Sequence, residues 1–139
     1  WSSDVCSSDL DKIITVHSVR AVKIVLDFIE AYLPLGRGKI VLHWFTGTKN
    51  EAKRALELGC YFSINMEMIS NARHIPMIQS IPIERVLTET DGPFTRIDNR
   101  PSQPADIENT VEELAHLYGL STSDMVYVIR NNLRTLISY

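Results

Sequence analysis

The sequence predicts an α/β fold, a parallel sheet covered by helices, on two observations. Short apolar runs rich in β-branched residues alternate with segments of helical periodicity, and Gly, Pro or polar residues separate them. Short units of this kind are typical of parallel sheets with crossover helices. In addition, no glycine-rich phosphate loop follows any predicted strand, which disfavours a doubly wound dinucleotide-binding domain.

Four strands are predicted, each from a short apolar run of the kind found in buried parallel strands. They span residues 12–17, 39–45, 60–65 and 85–91. The fourth strand carries Glu89 and Asp91 on one face and stops at Gly92 and Pro93, because this pair breaks the strand pattern. A polar loop is expected to follow as far as Pro104.

Helices are predicted between and after these strands. They cover residues 20–32, 51–58, 71–81, 105–119 and 121–138. Either Thr48 or Asn50 is expected to cap the second helix. The third is expected to be short and irregular because Pro76 does not fit a helix interior, and Ser121 with Asp124 resembles a capping box at the start of the last.

Composition indicates one globular domain and limits its partners. The chain has 139 residues, of which 45% are hydrophobic and 22% charged. Its formal net charge of -3 does not argue for a nucleic-acid partner. Two cysteines, Cys6 and Cys60, make no disulfide framework, which favours a reducing, cytoplasmic location. No apolar run approaches the ~18 residues of a membrane span and no secretory signal is visible, so no membrane partner is expected.

The first ten residues, WSSDVCSSDL, contain a near-repeat and show neither helical nor strand periodicity. They resemble translated sequencing-adapter sequence, and we expect residues 1–10 to be non-native and residues 11–139 to form the domain. The alternative is a natural loop rich in Ser and Asp.

Side chains able to bind a metal stand at the ends of three predicted strands. His17 and Asp91 end the first and fourth strands, and His43 lies near the end of the second, whereas Asn65 at the end of the third is a poor ligand. Because ligands of parallel sheets bind beyond the carboxyl ends of the strands, two imidazoles and a carboxylate would meet at one mouth. That set suits a hydrolytic Zn, Mn or Mg centre. Taken singly, each residue has a structural alternative, a hydrogen-bonded histidine or a turn acid.

Three segments resemble the TatD family of metal-dependent deoxyribonucleases in residue sequence, order and spacing. They are HWFTG, LGCYFSIN and VLTETDGPF, and the later NNLRTLI is similar to the ending of that family. The segments VLHWFTG, RVLTETDGPF and RPSQP are most similar in sequence to the QatD-like subgroup of the Qat anti-phage systems. The resemblance implies a hydrolase that cleaves single-stranded DNA with one or two divalent ions (Mg, Mn or Zn), with other Qat proteins as possible partners.

Carried over residue by residue, the resemblance makes His17, His43 and Asp91 metal ligands. Asp91 is also expected to activate the attacking water. Glu89 matches the acid beside the ligand aspartate and is expected to orient it, so that Asp91 and Glu89 form the expected catalytic pair. A buried acid hydrogen-bonded to the backbone is the structural alternative for Glu89.

Two residues are expected to contact substrate. Trp44 could stack on a base, although strand alternation could equally turn it outward against a helix. The family often has an arginine at the position of Val19, and here Arg20 comes one residue later. Whether Arg20 takes over the phosphate contact of that arginine is therefore left undecided by the sequence. Gly47 matches a glycine of the family that allows a tight turn after the strand.

The resemblance runs from about Lys12 to the C-terminus, and the family's first His-x-His strand and a strand glutamate have no counterpart here. It therefore implies the C-terminal half of a TIM-type (β/α)8 barrel, about four parallel strands with covering helices. Thr15, Val41 and Leu87 would then lack an opposing layer. Two alternatives remain: an amidohydrolase-type hydrolase acting on small molecules with the same barrel, and a non-catalytic α/β interaction module.

Overall fold

The computed structural model describes residues 12–33 and 38–138, and the segment expected to be non-native, residues 1–10, lies outside them. Four parallel strands form one sheet in the order β1-β2-β3-β4, which confirms the predicted fold class. The strands are β1 (Ile13–His17), β2 (Lys39–His43), β3 (Tyr61–Ile64) and β4 (Val86–Thr88). The second strand ends two residues earlier than predicted because Trp44 adopts a left-handed backbone that a strand cannot contain, and the fourth ends three residues earlier, at Thr88.

The described part of the chain contains six α-helices, where the sequence predicts five. They are α1 (Val22–Tyr32), α2 (Lys49–Glu57), α3 (Met66–Ser70), α4 (Ile75–Ile78), α5 (Ile107–Tyr118) and α6 (Thr122–Ile137). Thr48, and not Asn50, caps α2 through a capping box with Glu51. Helix α3 was not predicted, and it forms because the side chain of Asn65 caps it by accepting a hydrogen bond from the Met68 N–H.

The loop that follows β4 is more ordered than its composition predicts. It contains a small hairpin of β5 (Arg96–Ile97) and β6 (Arg100–Pro101). Arg100 donates from both guanidinium nitrogens to the two carboxylate oxygens of Asp106, over 2.7 and 2.6 Å. The hairpin is thereby fixed to the segment that begins α5.

Most of the hydrophobic core lies between one face of the sheet and the helices. Its largest fully buried side chains include Phe45, Phe62, Leu26, Leu42, Ile64 and Met68. The rings of Phe45 and Phe62 meet edge to face with their centroids 5.2 Å apart. Burying these side chains is what holds the strand ends in fixed register.

The opposite face of the sheet is covered in part. Val41, Tyr61 and Leu87 pack with Leu136 of α6 and are buried. The Nζ of Lys39 donates to the carbonyl oxygen of Leu136 over 2.8 Å and so holds the end of α6 in place. The expectation that Val41 and Leu87 face water is therefore wrong, whereas Thr15 on β1 is exposed as expected.

Two features of the described chain leave apolar surface exposed. Strand β1 is an edge of the four-stranded sheet, and Ile13 on it is exposed. On α1, Ile24, Phe28 and Tyr32 recur every four residues and are all exposed, with Phe28 and Tyr32 stacked at 5.6 Å between centroids.

Among the described residues, no helix combines the length and the apolar character that crossing a membrane requires.

Candidate active site

The parallel register brings the two predicted histidines side by side. His17 and His43 are direct partners in the pairing of β1 with β2, and their ring centroids are 5.3 Å apart. Asp91 reaches the same place from the segment that follows β4. Together these side chains line one cleft at the carboxyl ends of the strands, with a volume of about 440 Å³. Trp44 and Phe94 complete its lining.

Glu89 holds His43 from one side. Its Oε2 is 2.5 Å from Nδ1 of His43, and its Oε1 accepts hydrogen bonds from the Trp44 N–H at 3.1 Å and from Nδ2 of Asn65 at 3.0 Å. Three donors on one largely buried carboxylate leave it little freedom to turn. An ionised carboxylate can only accept, so Nδ1 is the donor to Glu89, and Nε2 is the ring nitrogen that faces the cleft.

Asp91 meets His43 from the other side. Its Oδ1 is 3.2 Å from Nε2 of His43. The left-handed backbone of Asp91 (φ 52°) turns the chain out of the strand direction, so the strand alternation expected for Glu89 and Asp91 ends between them. If Nε2 of His43 and Oδ1 of Asp91 both present lone pairs, they repel each other at this separation unless a proton or a cation lies between them.

The donor set of His43 and Asp91 fits part of a metal site. Two ligand atoms bound tetrahedrally to one Zn²⁺ lie roughly 3.4 Å apart, close to the 3.2 Å found here. The Glu89–His43 hydrogen bond is also the contact that orients metal-binding histidines in proteins. The ring of His17 lies 5.3 Å from that of His43, and within the described ranges no group of three or more His, Cys, Asp or Glu side chains is already arranged to hold an ion.

The two residues expected to contact substrate lie in different places. Trp44 follows β2 with φ 46°, so strand alternation does not govern it, and its ring both packs against the core and lines the cleft. It meets His17 edge to face at 6.1 Å. Arg20 (φ 60°) lies outside this cleft and lines a neighbouring cavity of about 530 Å³ with Thr46 and Gly47.

Asn65 is the member of this site whose role the sequence did not indicate. It is fully buried, and its amide links two structures: Nδ2 donates to Glu89, and Oδ1 accepts from the Met68 N–H at the start of α3. The sequence placed Asn65 at a strand end and set it aside as a poor ligand. Asn65 instead holds the carboxylate of Glu89 in place. The sequence feature that could have indicated a capping role is an Asn between a strand and the start of a helix.

Two glycines allow close approaches around the cleft. A Cβ on Gly47 would lie 2.5 Å from the ring of Phe45, so this glycine makes room for a core side chain and its φ is not left-handed, unlike a tight-turn glycine. A Cβ on Gly92 would lie 1.9 Å from the carbonyl oxygen of Ser102. Gly92 therefore lets the segment after Asp91 pack directly on the chain beyond the β5–β6 hairpin.

A parallel α/β sheet with imidazole and carboxylate groups gathered at the carboxyl ends of its strands is the arrangement of barrel-type α/β enzymes. The family model described as TatD related DNase matches residues 5–138. The chain therefore belongs to the TatD-related DNase family, a family of metal-dependent hydrolases.

Similar proteins agree with this assignment. The chain is 34% identical over 87 residues to the deoxyribonuclease Tat-D of Schizosaccharomyces pombe, covering 63% of this chain and 27% of that protein. It is 31% identical over 106 residues to the 3'-5' ssDNA/RNA exonuclease TatD of Edwardsiella piscicida, covering 69% and 41%. It superposes on YJJV, a TatD homologue from Escherichia coli, with a TM-score of 0.79 and 22% identity, covering 89% and 49%. The chain thus spans half or less of each of these proteins.

Proposed function

We propose that this chain is part of a longer TatD-like deoxyribonuclease that hydrolyses phosphodiester bonds in single-stranded DNA. Residues 11–139 would form the C-terminal half of its barrel, and residues 1–10 would be non-native. The observation that carries the proposal is the position of His43, with Nδ1 on Glu89 at 2.5 Å and Nε2 beside Asp91 at 3.2 Å. The relative from Edwardsiella piscicida, named as a 3'-5' ssDNA/RNA exonuclease, supports the choice of substrate.

Divalent cations are the cofactor proposed for this site. His43 and Asp91 would hold an ion of Mg, Mn or Zn, with His17 as a further ligand, and the intact enzyme would bind two. Such an ion, when bound, offsets phosphoryl charge and makes a bound water more acidic. It also explains how a protein with a formal net charge of -3 binds a polyanion.

Each residue of the cleft then has a role. Glu89 keeps the imidazole of His43 in one tautomer and one orientation, and Asn65 keeps Glu89 in place. Asp91 would accept a hydrogen bond from the attacking water and orient it toward the phosphorus atom. Trp44 would stack on a base beside the scissile bond, and Arg20, from its neighbouring cavity, would contact a phosphate further along the strand.

The finer assignment is to the QatD-like subgroup, with a role in anti-phage defence, a cytoplasmic location and other Qat proteins as partners. The residue sequences of the segments VLHWFTG, RVLTETDGPF and RPSQP support this subgroup assignment. Expression of the intact gene with and without its neighbours, followed by phage challenge, tests this part separately from the chemistry.

The nuclease proposal is tested with the full-length protein, a labelled single-stranded oligonucleotide, and Mg²⁺, Mn²⁺ or Zn²⁺. Asp91→Asn keeps the shape of the side chain but removes its charge, so we expect cleavage to fall at least about 100-fold with an unchanged thermal midpoint. The matched control is Glu57→Gln, an exposed acid on α2, which should cleave like the unmodified protein. Retained cleavage by Asp91→Asn would remove Asp91 from the site, and intact DNA with every metal would favour a small-molecule hydrolase.

A further inference from the structure

Phe94 is an exposed aromatic residue at the mouth of the cleft. It lines the cleft together with the two histidines, Trp44 and Asp91, yet 78% of its surface is accessible to water. It is the most exposed of the large hydrophobic side chains in the described part of the chain. Water contact of this extent is unfavourable for a Phe, and its position in the cleft lining makes the ring available to a ligand bound at His43 and Asp91.

The backbone around Phe94 is fixed, so its exposure does not come from a loose loop. The N–H groups of Phe94 and Thr95 both donate to the carbonyl oxygen of Asp91, at 2.9 and 3.3 Å. Thr95 is fully buried, its hydroxyl donates to the carbonyl of Thr90, and its carbonyl accepts from the Ser102 N–H at 3.0 Å. The close approach of Gly92 to Ser102 adds a further constraint. Buried neighbours on its C-terminal side thus hold Phe94 out toward the cleft.

Without bound cations, the side chains that line this cleft supply no positive charge of Lys or Arg for binding a single-stranded nucleic acid. The formal net charge is -3, and Glu89 and Asp91 add negative charge at the cleft itself. Binding by release of counterions from phosphates requires clustered Lys and Arg. Stacking of bases on aromatic rings is the other general source of affinity for single strands, and it does not depend on sequence.

We infer that Phe94 is a base-stacking residue that positions single-stranded nucleic acid in the cleft. Its ring takes one nucleobase next to the phosphodiester bond that lies at His43 and Asp91, and Trp44 provides a second aromatic wall. The inference rests on the proposed nuclease function. It adds that the protein contacts a nucleobase of the substrate and that this contact does not depend on which of the four bases is present. Cleavage next to an abasic nucleotide is then less efficient than cleavage next to any of the four bases.

The test compares an oligonucleotide of mixed sequence with one of equal length in which every base is missing. Binding of both to the full-length protein is measured by fluorescence anisotropy in EDTA, which stops metal-dependent cleavage. Phe94→Ala should bind the intact oligonucleotide about 5- to 150-fold more weakly, the range given by base–aromatic stacking. Its affinity for the abasic oligonucleotide should equal that of the unmodified protein, and Phe94→Trp should restore binding of the intact one.

Tyr127→Ala is the matched control, because Tyr127 is 66% exposed on α6 and outside the cleft, and it should change neither affinity. Equal losses for the intact and abasic oligonucleotides in Phe94→Ala, or no loss at all, would overturn the stacking role. So would failure of the unmodified protein to prefer the intact oligonucleotide. Cleavage of DNA by the same preparation in Mn²⁺ is assayed in parallel: its presence leaves the nuclease proposal standing when the stacking role fails, and its absence refutes the nuclease proposal itself.

Discussion

Glu89 fixes the orientation of His43 through a contact of 2.5 Å between Oε2 and Nδ1. The same carboxylate accepts hydrogen bonds from the Trp44 N–H and from Asn65, so three donors at the ends of β2 and β3 determine its position. Nε2 of His43 is thereby directed to Asp91 at 3.2 Å. This contact sets which ring nitrogen of His43 faces the cleft.

Replacing Glu89 by Gln should loosen His43. One of the two acceptor oxygens becomes an NH₂ group, so at least one of the donors loses its partner. We expect the affinity for Mn²⁺ to fall about 10- to 100-fold, measured by calorimetry on the full-length protein. The ¹⁵N shifts of the His43 ring should also show a mixture of tautomers. Glu57→Gln is the control, and an unchanged affinity together with an unchanged tautomer would mean that Glu89 has only a structural role.

Acid should weaken the anchor between Arg100 and Asp106. The guanidinium of Arg100 first, and the Gln103 N–H second, lower the pKa of Asp106 from its ordinary 3.8 to about 2. Because the folded-state pKa is the lower one, the ion pair stabilises the fold above pH 3.8, and this contribution is lost as the pH falls toward 2. The free energy of unfolding of Asp106→Asn should therefore lie below that of the unmodified protein at pH 7 and approach it near pH 2.

Urea unfolding followed by circular dichroism at a series of pH values measures this difference. Glu108→Gln, at an exposed position on α5, provides the control and should show no such dependence. A difference between Asp106→Asn and the unmodified protein that stays constant from pH 7 to pH 2 would contradict the assignment.

Cys60 should be unreactive in the folded protein. Its side chain is fully buried, and burial raises the pKa of the thiol to about 11. In a background of Cys6→Ser, we expect the folded chain to react with a thiol-specific disulfide reagent at pH 8 far more slowly than the chain in urea. Equal rates would show that the core opens at Cys60. Because the folded-state pKa is raised, the protonated thiol adds stability below pH 9.0, and this is lost as the pH rises through about 11.

The isolated chain should self-associate and should not cleave DNA. Ile24, Phe28 and Tyr32 form an exposed apolar row on α1, and β1 is an edge strand of the sheet. Apolar rows and open strand edges favour contacts between copies. Analytical ultracentrifugation of residues 11–139 should show association, and Phe28→Glu should raise its dissociation constant about tenfold or more.

Tyr127→Glu, on a different helix, is the control and should associate like the unmodified chain. A monomer at all concentrations would contradict the role of the apolar row. A soluble monomer of residues 11–139 that cleaves DNA, and loses this activity on Asp91→Asn, would make this segment a minimal nuclease in its own right.

Much of the fold could be predicted from the sequence because the signals are local. Runs such as 12–17 and 39–43 are apolar and β-branched, and this composition by itself favours buried parallel strands. The start of α2 at Thr48 and of α6 at Ser121 follows from side chains that bond to their own backbone three residues on. The meeting of His17 with His43 also follows, once the strands are known to be parallel and in register.

The tertiary structure alone decided what each residue of the cleft touches. Asp91 leaves the strand through a left-handed backbone, so its approach to Nε2 of His43 depends on the packing of Gly92 against Ser102, ten residues away. The bond from Asn65 to Glu89 and the cover that Leu136 gives to Val41 join segments 24 or more residues apart. Periodicity and capping describe neighbours in sequence, and contacts of this range arise only when the helices have packed on the sheet.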